Sequence, residues 1–178
     1  MDLSLSDRFA DLVDDGFDLA IRTGTLDDRA GIVARRVARQ RMIVCASPSY
    51  IETFGRPLQL EDIASHQAII YRRLGQALQP WLFPRDEDSV AEIVPAGRLR
   101  LDDLDAIADA ATDGLGLAWL PYWLVRERIE GGTLVRLLPE QGDYLYDCHA
   151  LWLQTPHLPL KVRLTVDALA AGLPKMMN

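Results

Sequence analysis

Apolar and polar positions along this chain switch between a period near 3.6 and a period of two, and the switches mark out alternating helices and strands. From Ser6, residues Phe9, Leu12 and Val13 share one helical face, with a hydroxyl for the N-cap and Gly16 where a left-handed stop is wanted. A strand over 18–22 follows and ends on Arg22. A second apolar strand covers 41–46; Ser47-Pro48 then supply an N-cap hydroxyl and a first-turn proline, and Gly55 ends the resulting helix. The middle of the chain is looser, with a short helix over 60–65, strands over 68–71, 81–83 and 90–94, and the alternating strand 98–101. The best-marked helix covers 103–113, with Leu104, Ile107, Ala108 and Ala111 on one face, Asp102 as N-cap and Gly114 as stop. After it come a strand over 115–120, a helix opened by Pro121, the Gly131-Gly132 turn, strands over 133–137 and 144–153, and a final helix from about 158 to 171.

This alternation implies an α/β fold with mostly parallel sheets. The 178 residues, 49% hydrophobic and 25% charged, suffice for one ordinary domain or two small lobes. Without a Pro/Gly/Ser linker, a second lobe has to be joined by strands. The net charge of −7 argues against a nucleic-acid backbone as direct partner, since such binding rests on clustered Lys and Arg. Cys45 and Cys148 sit in apolar strand-like runs and read as two buried thiols, which fits a reducing cytoplasm. No apolar run reaches the roughly 18 residues of a membrane span, and the start resembles no export signal.

The chemistry-bearing motifs exclude more than they assign. Gly114-Leu115-Gly116 lacks the third glycine of a dinucleotide fingerprint and leads into a strand, so no nucleotide cofactor is expected. His66, His149 and His157 have no metal-ligand spacing. Neither a Gly-x-Ser-x-Gly elbow nor a cysteine flanked by a base is present, and no catalytic residues or enzyme activity are expected.

Leu12 to Arg22, then Val44-Cys45-Ala46-Ser47-Pro48-Ser49-Tyr50-Ile51, Phe54-Gly55-Arg56-Pro57 and Gly114-Leu115-Gly116-Leu117-Ala118, resemble in order and spacing the effector-binding domain of LysR-type transcriptional regulators. The resemblance covers nearly the whole chain. It implies two α/β lobes of the type 2 periplasmic-binding-protein kind, joined by two crossover strands at 41–46 and 144–153, with a small molecule bound between them. The lobes would be 1–45 with 149–178, and 46–148. It also implies that a helix-turn-helix, a linker helix and the first strand and helix of lobe I precede Met1, and that effector domains pair as homodimers or larger assemblies. Promoter DNA would then be reached only through the preceding segment. A solute-binding protein of the same fold, serving a transporter, is the alternative.

Six residues are candidates for effector contacts. Arg22 and Thr23 close a strand, where open α/β sheets place ligands, and an arginine there can grip a carboxylate bidentately; pairing with Asp27 or Asp28 is the other use for it. Ser47 offers a hydroxyl that helix capping also claims. Tyr71 closes a lobe II strand beside Arg72 and Arg73. Asp102 and Asp103 stand at a helix amino terminus, where carboxylates also serve the helix dipole. Trp119, Tyr122 and Trp123 read either as core or as an aromatic ligand wall.

Overall fold

The structure, a computed structural model, describes residues 2–4, 12, 14–24, 26, 30–72, 77–86 and 89–177. The helix expected from Ser6 falls almost wholly outside them, as do Asp27, Asp28 and Arg73. The chain forms two compact units, Met1–Gln40 with Leu145–Asn178 and Arg41–Tyr144. It passes from one to the other within the long strand β2 (Ile32–Ala46) and at the start of β9 (Tyr144–Leu153). The sequence reading set its divisions at 45/46 and 148/149, a few residues further along the same two strands.

In the first unit, β1 (Ala20–Thr23) is the edge strand and pairs antiparallel with β9, from Ala20 opposite Leu151 to Thr23 opposite Cys148; β9 lies beside β2. Helix α4 (Leu160–Met177) lays Val162 and Val166 on Val37, Ala38, Cys148 and Ala150. The helix expected to stop near 171 runs on through Pro174, because Leu173 and Met177 continue the stripe that packs on this core.

The second unit is built on a sheet buried on both faces. The second half of β2 pairs antiparallel with β7 (Ala118–Pro121) on one side and with β8 (Val135–Leu137) on the other. Strands β3 (Ile69–Tyr71) and β6 (Leu99–Leu101) run parallel, and a parallel bridge from Ala68 to Leu117 ties β3 to the start of β7. Alternate residues serve opposite faces, as the two-residue strand period requires. Val44, Ala46, Ile70 and Leu117 face a core shared with Tyr50 of α1 (Pro48–Phe54), Leu60 and Ile63 of a 3-10 helix (Leu60–Ser65), and Trp81 and Phe83 of the β4 (Trp81–Pro84) and β5 (Val90–Ile93) hairpin. Ile43, Cys45, Ile69, Ala118 and Leu120 face a second core with Ile107 and Ala111 of α2 (Leu104–Thr112) and Val125 of α3 (Tyr122–Glu130).

Pairing is less parallel than the alternation of elements implied. Among the described residues, β3 with β6 and β3 with the start of β7 are parallel, whereas β1 on β9, and β7 and β8 on β2, are antiparallel. A right-handed crossover constrains strands joined in β-α-β succession. A strand arriving from another unit carries no such constraint.

Candidate functional site

Because β3, β6 and β7 run parallel, their carboxyl ends meet at one edge of the second unit. Tyr71 ends β3 opposite Leu101 of β6, and the Arg72 amide donates to the Leu101 carbonyl at 2.8 Å. Asp102 and Asp103 follow β6 directly, and Pro121-Tyr122 stand where β7 passes into α3. Tyr71, Leu101, Leu104 and Tyr122, all partly buried, pack on the same α2/α3 core, which fixes the floor beneath this edge. The amino ends of α2 and α3 open here too, so strand carboxyl ends and helix amides converge in the arrangement by which open α/β sheets hold ligands.

The α2 cap differs from the sequence expectation. Asp103, not Asp102, is the N-cap: its backbone is extended (φ −121°, ψ 125°), and its Oδ1 accepts the Ala106 amide at 2.8 Å. A cap carboxylate reaches amides two or three residues ahead, which leaves Asp102 one residue too early. Asp102 is exposed.

Ser47 lies elsewhere. Since Met42 pairs with Pro121 and Cys45 with Ala118, β2 runs against β7, and its carboxyl end sits at the amino edge of the parallel strands, opposite Tyr71 and Asp102. There Ser47 is buried; its Oγ accepts the Tyr50 amide at 3.2 Å and lies 2.9 Å from Ser49 Oγ. A Cβ on Gly114 (φ +81°) would come within 3.2 Å and 3.4 Å of the Ser49 and Ser47 hydroxyls. Behind them the Tyr50 hydroxyl accepts the Gln67 amide at 3.0 Å and bonds His66 Nδ1 at 3.2 Å. Burial raises the Tyr50 phenol, partly countered by its bond to Gln67, and lowers the His66 imidazole against the opposing pull of Asp62. The Ser47 hydroxyl is thus built into a helix cap and a packed core.

Arg22 and Thr23 belong to the first unit. In β1 they face opposite ways: Arg22, half-buried, pairs in register with His149, while the Thr23 hydroxyl donates to Cys148 Sγ at 3.7 Å. His149 Nδ1 is buried without a hydrogen-bond partner among the described residues. Cys45 and Cys148 are free, buried thiols. Burial pushes the Cys45 thiol up to about 12, against a smaller opposing effect of the Arg128 charge, and it raises Cys148 despite the Thr23 bond. No cluster of potential metal ligands occurs among the described residues, and none of their helices is long and apolar enough to cross a membrane.

The aromatic residues divide three ways. Trp119 stacks with Trp81 at 6.5 Å between centroids and meets Tyr144 at 6.4 Å, so it is packing on the hairpin side of the sheet. Trp123 is exposed. Tyr122 lies under Arg41, whose guanidinium carbon is 4.3 Å from the ring centroid. Arg41 escaped sequence reasoning because it looked like no more than the first residue of an apolar strand.

The family model for the LysR substrate binding domain matches residues 1–174. Among curated relatives, the probable HTH-type transcriptional regulator LtrA of Klebsiella pneumoniae is 31% identical over 179 residues, spanning 98% of this chain and 56% of that protein. The HTH-type transcriptional activator AaeR of Escherichia coli is 31% identical over 159 residues, spanning 89% and 50%. Among solved structures, the full-length Vibrio cholerae virulence activator AphB superposes with a TM-score of 0.77 at 26% identity, covering 96% of this chain and 57% of that one. The regulatory domain of CrgA from Neisseria meningitidis gives 0.76 at 28%, covering 94% and 81%. The chain spans about half the length of the curated relatives it matches, 56% and 50% of the two described.

Proposed function

The chain belongs to the LysR substrate-binding domain family, with its two-lobe, type 2 periplasmic-binding-protein-like α/β fold, and from that premise we propose that it is the effector-sensing part of a helix-turn-helix transcriptional regulator. A small molecule, with a carboxylate as the expected anchoring group, binds it and biases its conformation; promoter DNA is contacted by another part of the full regulator. Such a protein works in the cytoplasm, where the DNA is. The named relatives are regulators, so the transporter-component reading gains no support. Nor do they point to catalysis.

The observation that carries this reading is the convergence of Tyr71, Asp102, Asp103 and the amino ends of α2 and α3 at one edge of the second unit. Ser47 contributes to that unit as a cap, and Arg22 and Thr23 are candidates within the first. The test is a thermal-shift screen against small metabolites. A ligand at about 100 times its Kd stabilises the folded state by roughly 2.7 kcal/mol. Tyr71→Ala and Asp102→Asn are expected to cut the shift given by a true effector. A hit that stabilises both variants as fully as the parent refutes this placement.

Self-association is the second part of the proposal. Among the described residues β1 pairs with β9, and Ile21 on it is exposed, an apolar side chain that a second copy can cover. A homodimer or larger assembly is expected by light scattering, and a stable monomer at micromolar concentration would contradict it.

A further inference from the structure

Arg41 is the one group at the carboxyl edge of the second unit whose bonding is conspicuously incomplete among the described residues. It opens the part of β2 that belongs to this unit, one residue before Met42, which pairs with Pro121 at the end of β7. Its guanidinium lies on the Tyr122 ring, and Tyr122 packs on the same core as Tyr71. Its nearest carboxylate is Asp143, 3.6 Å from Nη1, beyond hydrogen-bond reach. The other oxygen of that carboxylate, Oδ1, is held by Arg136 Nη2 at 2.7 Å, so two guanidinium groups share one carboxylate and Arg41 has the longer contact. Arg41 Nε is buried with no hydrogen-bond partner among the described residues.

An arginine in this condition has a use for an oxyanion. The Nε and Nη2 donors form the side-on fork that matches a carboxylate bidentately. The contact with the Tyr122 ring holds the guanidinium at this edge, while the torsions of its four-bond stem set where the fork points. A change in those torsions gives up only the 3.6 Å approach to Asp143 and uncovers Nε, so that the fork meets a ligand oxygen pair. The geometry points to Arg41 as a further effector-contact residue, which takes the carboxylate or similar planar oxyanion of a small-molecule ligand, with the Tyr122 ring as the aromatic neighbour of its guanidinium. Asp102, exposed at the far strand of the same edge, repels a second anionic end, so a monoanion with a neutral or hydrogen-bond-donating remainder is the class that fits.

This inference rests on the effector-binding reading of the edge, and its test separates the two. Isothermal titration with sodium benzoate and sodium propionate, each beside its uncharged amide, is run on the parent, Arg41→Gln, Arg41→Lys and Tyr71→Ala, after thermal melts establish which variants fold. At least one carboxylate is expected to bind the parent saturably and its amide at least tenfold more weakly. Arg41→Gln is expected to lose tenfold or more for the carboxylate while leaving the amide unchanged. Arg41→Lys, which keeps the charge and loses the fork, falls between and serves if Arg41→Gln does not fold. Tyr71→Ala weakens acid and amide alike. Equal binding of acid and amide, no binding of either acid to the parent, or an unaffected arginine variant overturns the role of Arg41. If Tyr71→Ala still weakens binding in the last case, the effector edge stands without Arg41; if no edge variant alters binding, both fall.

Discussion

Replacing Gly97 by alanine asks how closely the parallel strands β3 and β6 have to approach where they begin. An added Cβ would lie 1.9 Å from the Ala68 carbonyl oxygen, 2.9 Å from its carbon and 3.3 Å from the Ile70 side chain. Ordinary contacts begin near about 3.5 Å, so the start of β3 has to retreat by roughly 1.5 Å. A backbone carbonyl cannot swing aside as the end of a side chain does. The retreat strains three backbone bonds that hold β3 in place: Ala68 amide to Ala96 carbonyl at 2.9 Å, Ile69 amide to Leu117 carbonyl at 2.8 Å, and Leu117 amide to Gln67 carbonyl at 2.9 Å. Overpacking costs about 1–3 kcal/mol and each of the three weakened bonds up to about 1 kcal/mol, which sets the expected loss at about 1–6 kcal/mol. At roughly 2–4 °C per kcal/mol for a chain of this size, the melting temperature falls by about 2–24 °C. Gly116→Ala, whose Cβ would stand 2.6 Å from the Gln67 carbonyl oxygen on the other flank of β3, is expected to show a smaller fall. Thermal melts followed by tryptophan fluorescence suit the measurement, because Trp81, Trp119 and Trp123 report on the second unit and Trp152 on the first. A Gly97→Ala protein melting within about 2 °C of the parent, equivalent to less than 1 kcal/mol, would refute the reasoning.

Asp103→Ala is expected to cost about 1 kcal/mol in urea unfolding through loss of the α2 cap, and Asp102→Ala less than about 0.5 kcal/mol; the reverse order would return the cap to Asp102. Burial holds the His66 imidazole below its ordinary value, so the unfolded chain takes up a proton that the folded chain resists. Stability from this group is therefore full above about pH 6.5 and is lost as the pH falls below that value. His66→Gln should shrink the loss of urea midpoint between about pH 7.5 and 5.5, and an undiminished loss in the variant would dismiss His66 as its source. With both thiols buried and their pKa values raised, an aromatic disulfide reagent should label neither cysteine in the native chain and both in urea; prompt native labelling would contradict the burial.

Most of the second unit was legible because its residues obey one period at a time. Ile43 and Cys45 alternate with Val44 and Ala46, and Leu104, Ile107, Ala108 and Ala111 repeat at helical spacing, so element type and core face follow together. The first half of β2 was not legible: Arg35, Arg36 and Arg39 interrupt it, and Val37 and Ala38 are buried in succession, which breaks the two-residue alternation. The candidate site was half legible for a different reason. A sequence shows where a strand ends but not which way it runs beside its neighbours. Tyr71, Asp102 and Asp103 close or follow strands of the parallel set, so reading ligand residues from strand carboxyl ends brought them to a common edge. The same rule applied to β2 selected Ser47, yet β2 runs against β7, and its carboxyl end lies at the other edge. That one reversal also explains why Arg41 was passed over: the amino end of an antiparallel strand is delivered to the carboxyl edge of its parallel neighbours, beside Tyr122. In units entered by a strand from outside, candidate ligand residues should therefore be sought at the start of the incoming strand as well as at the ends of the others.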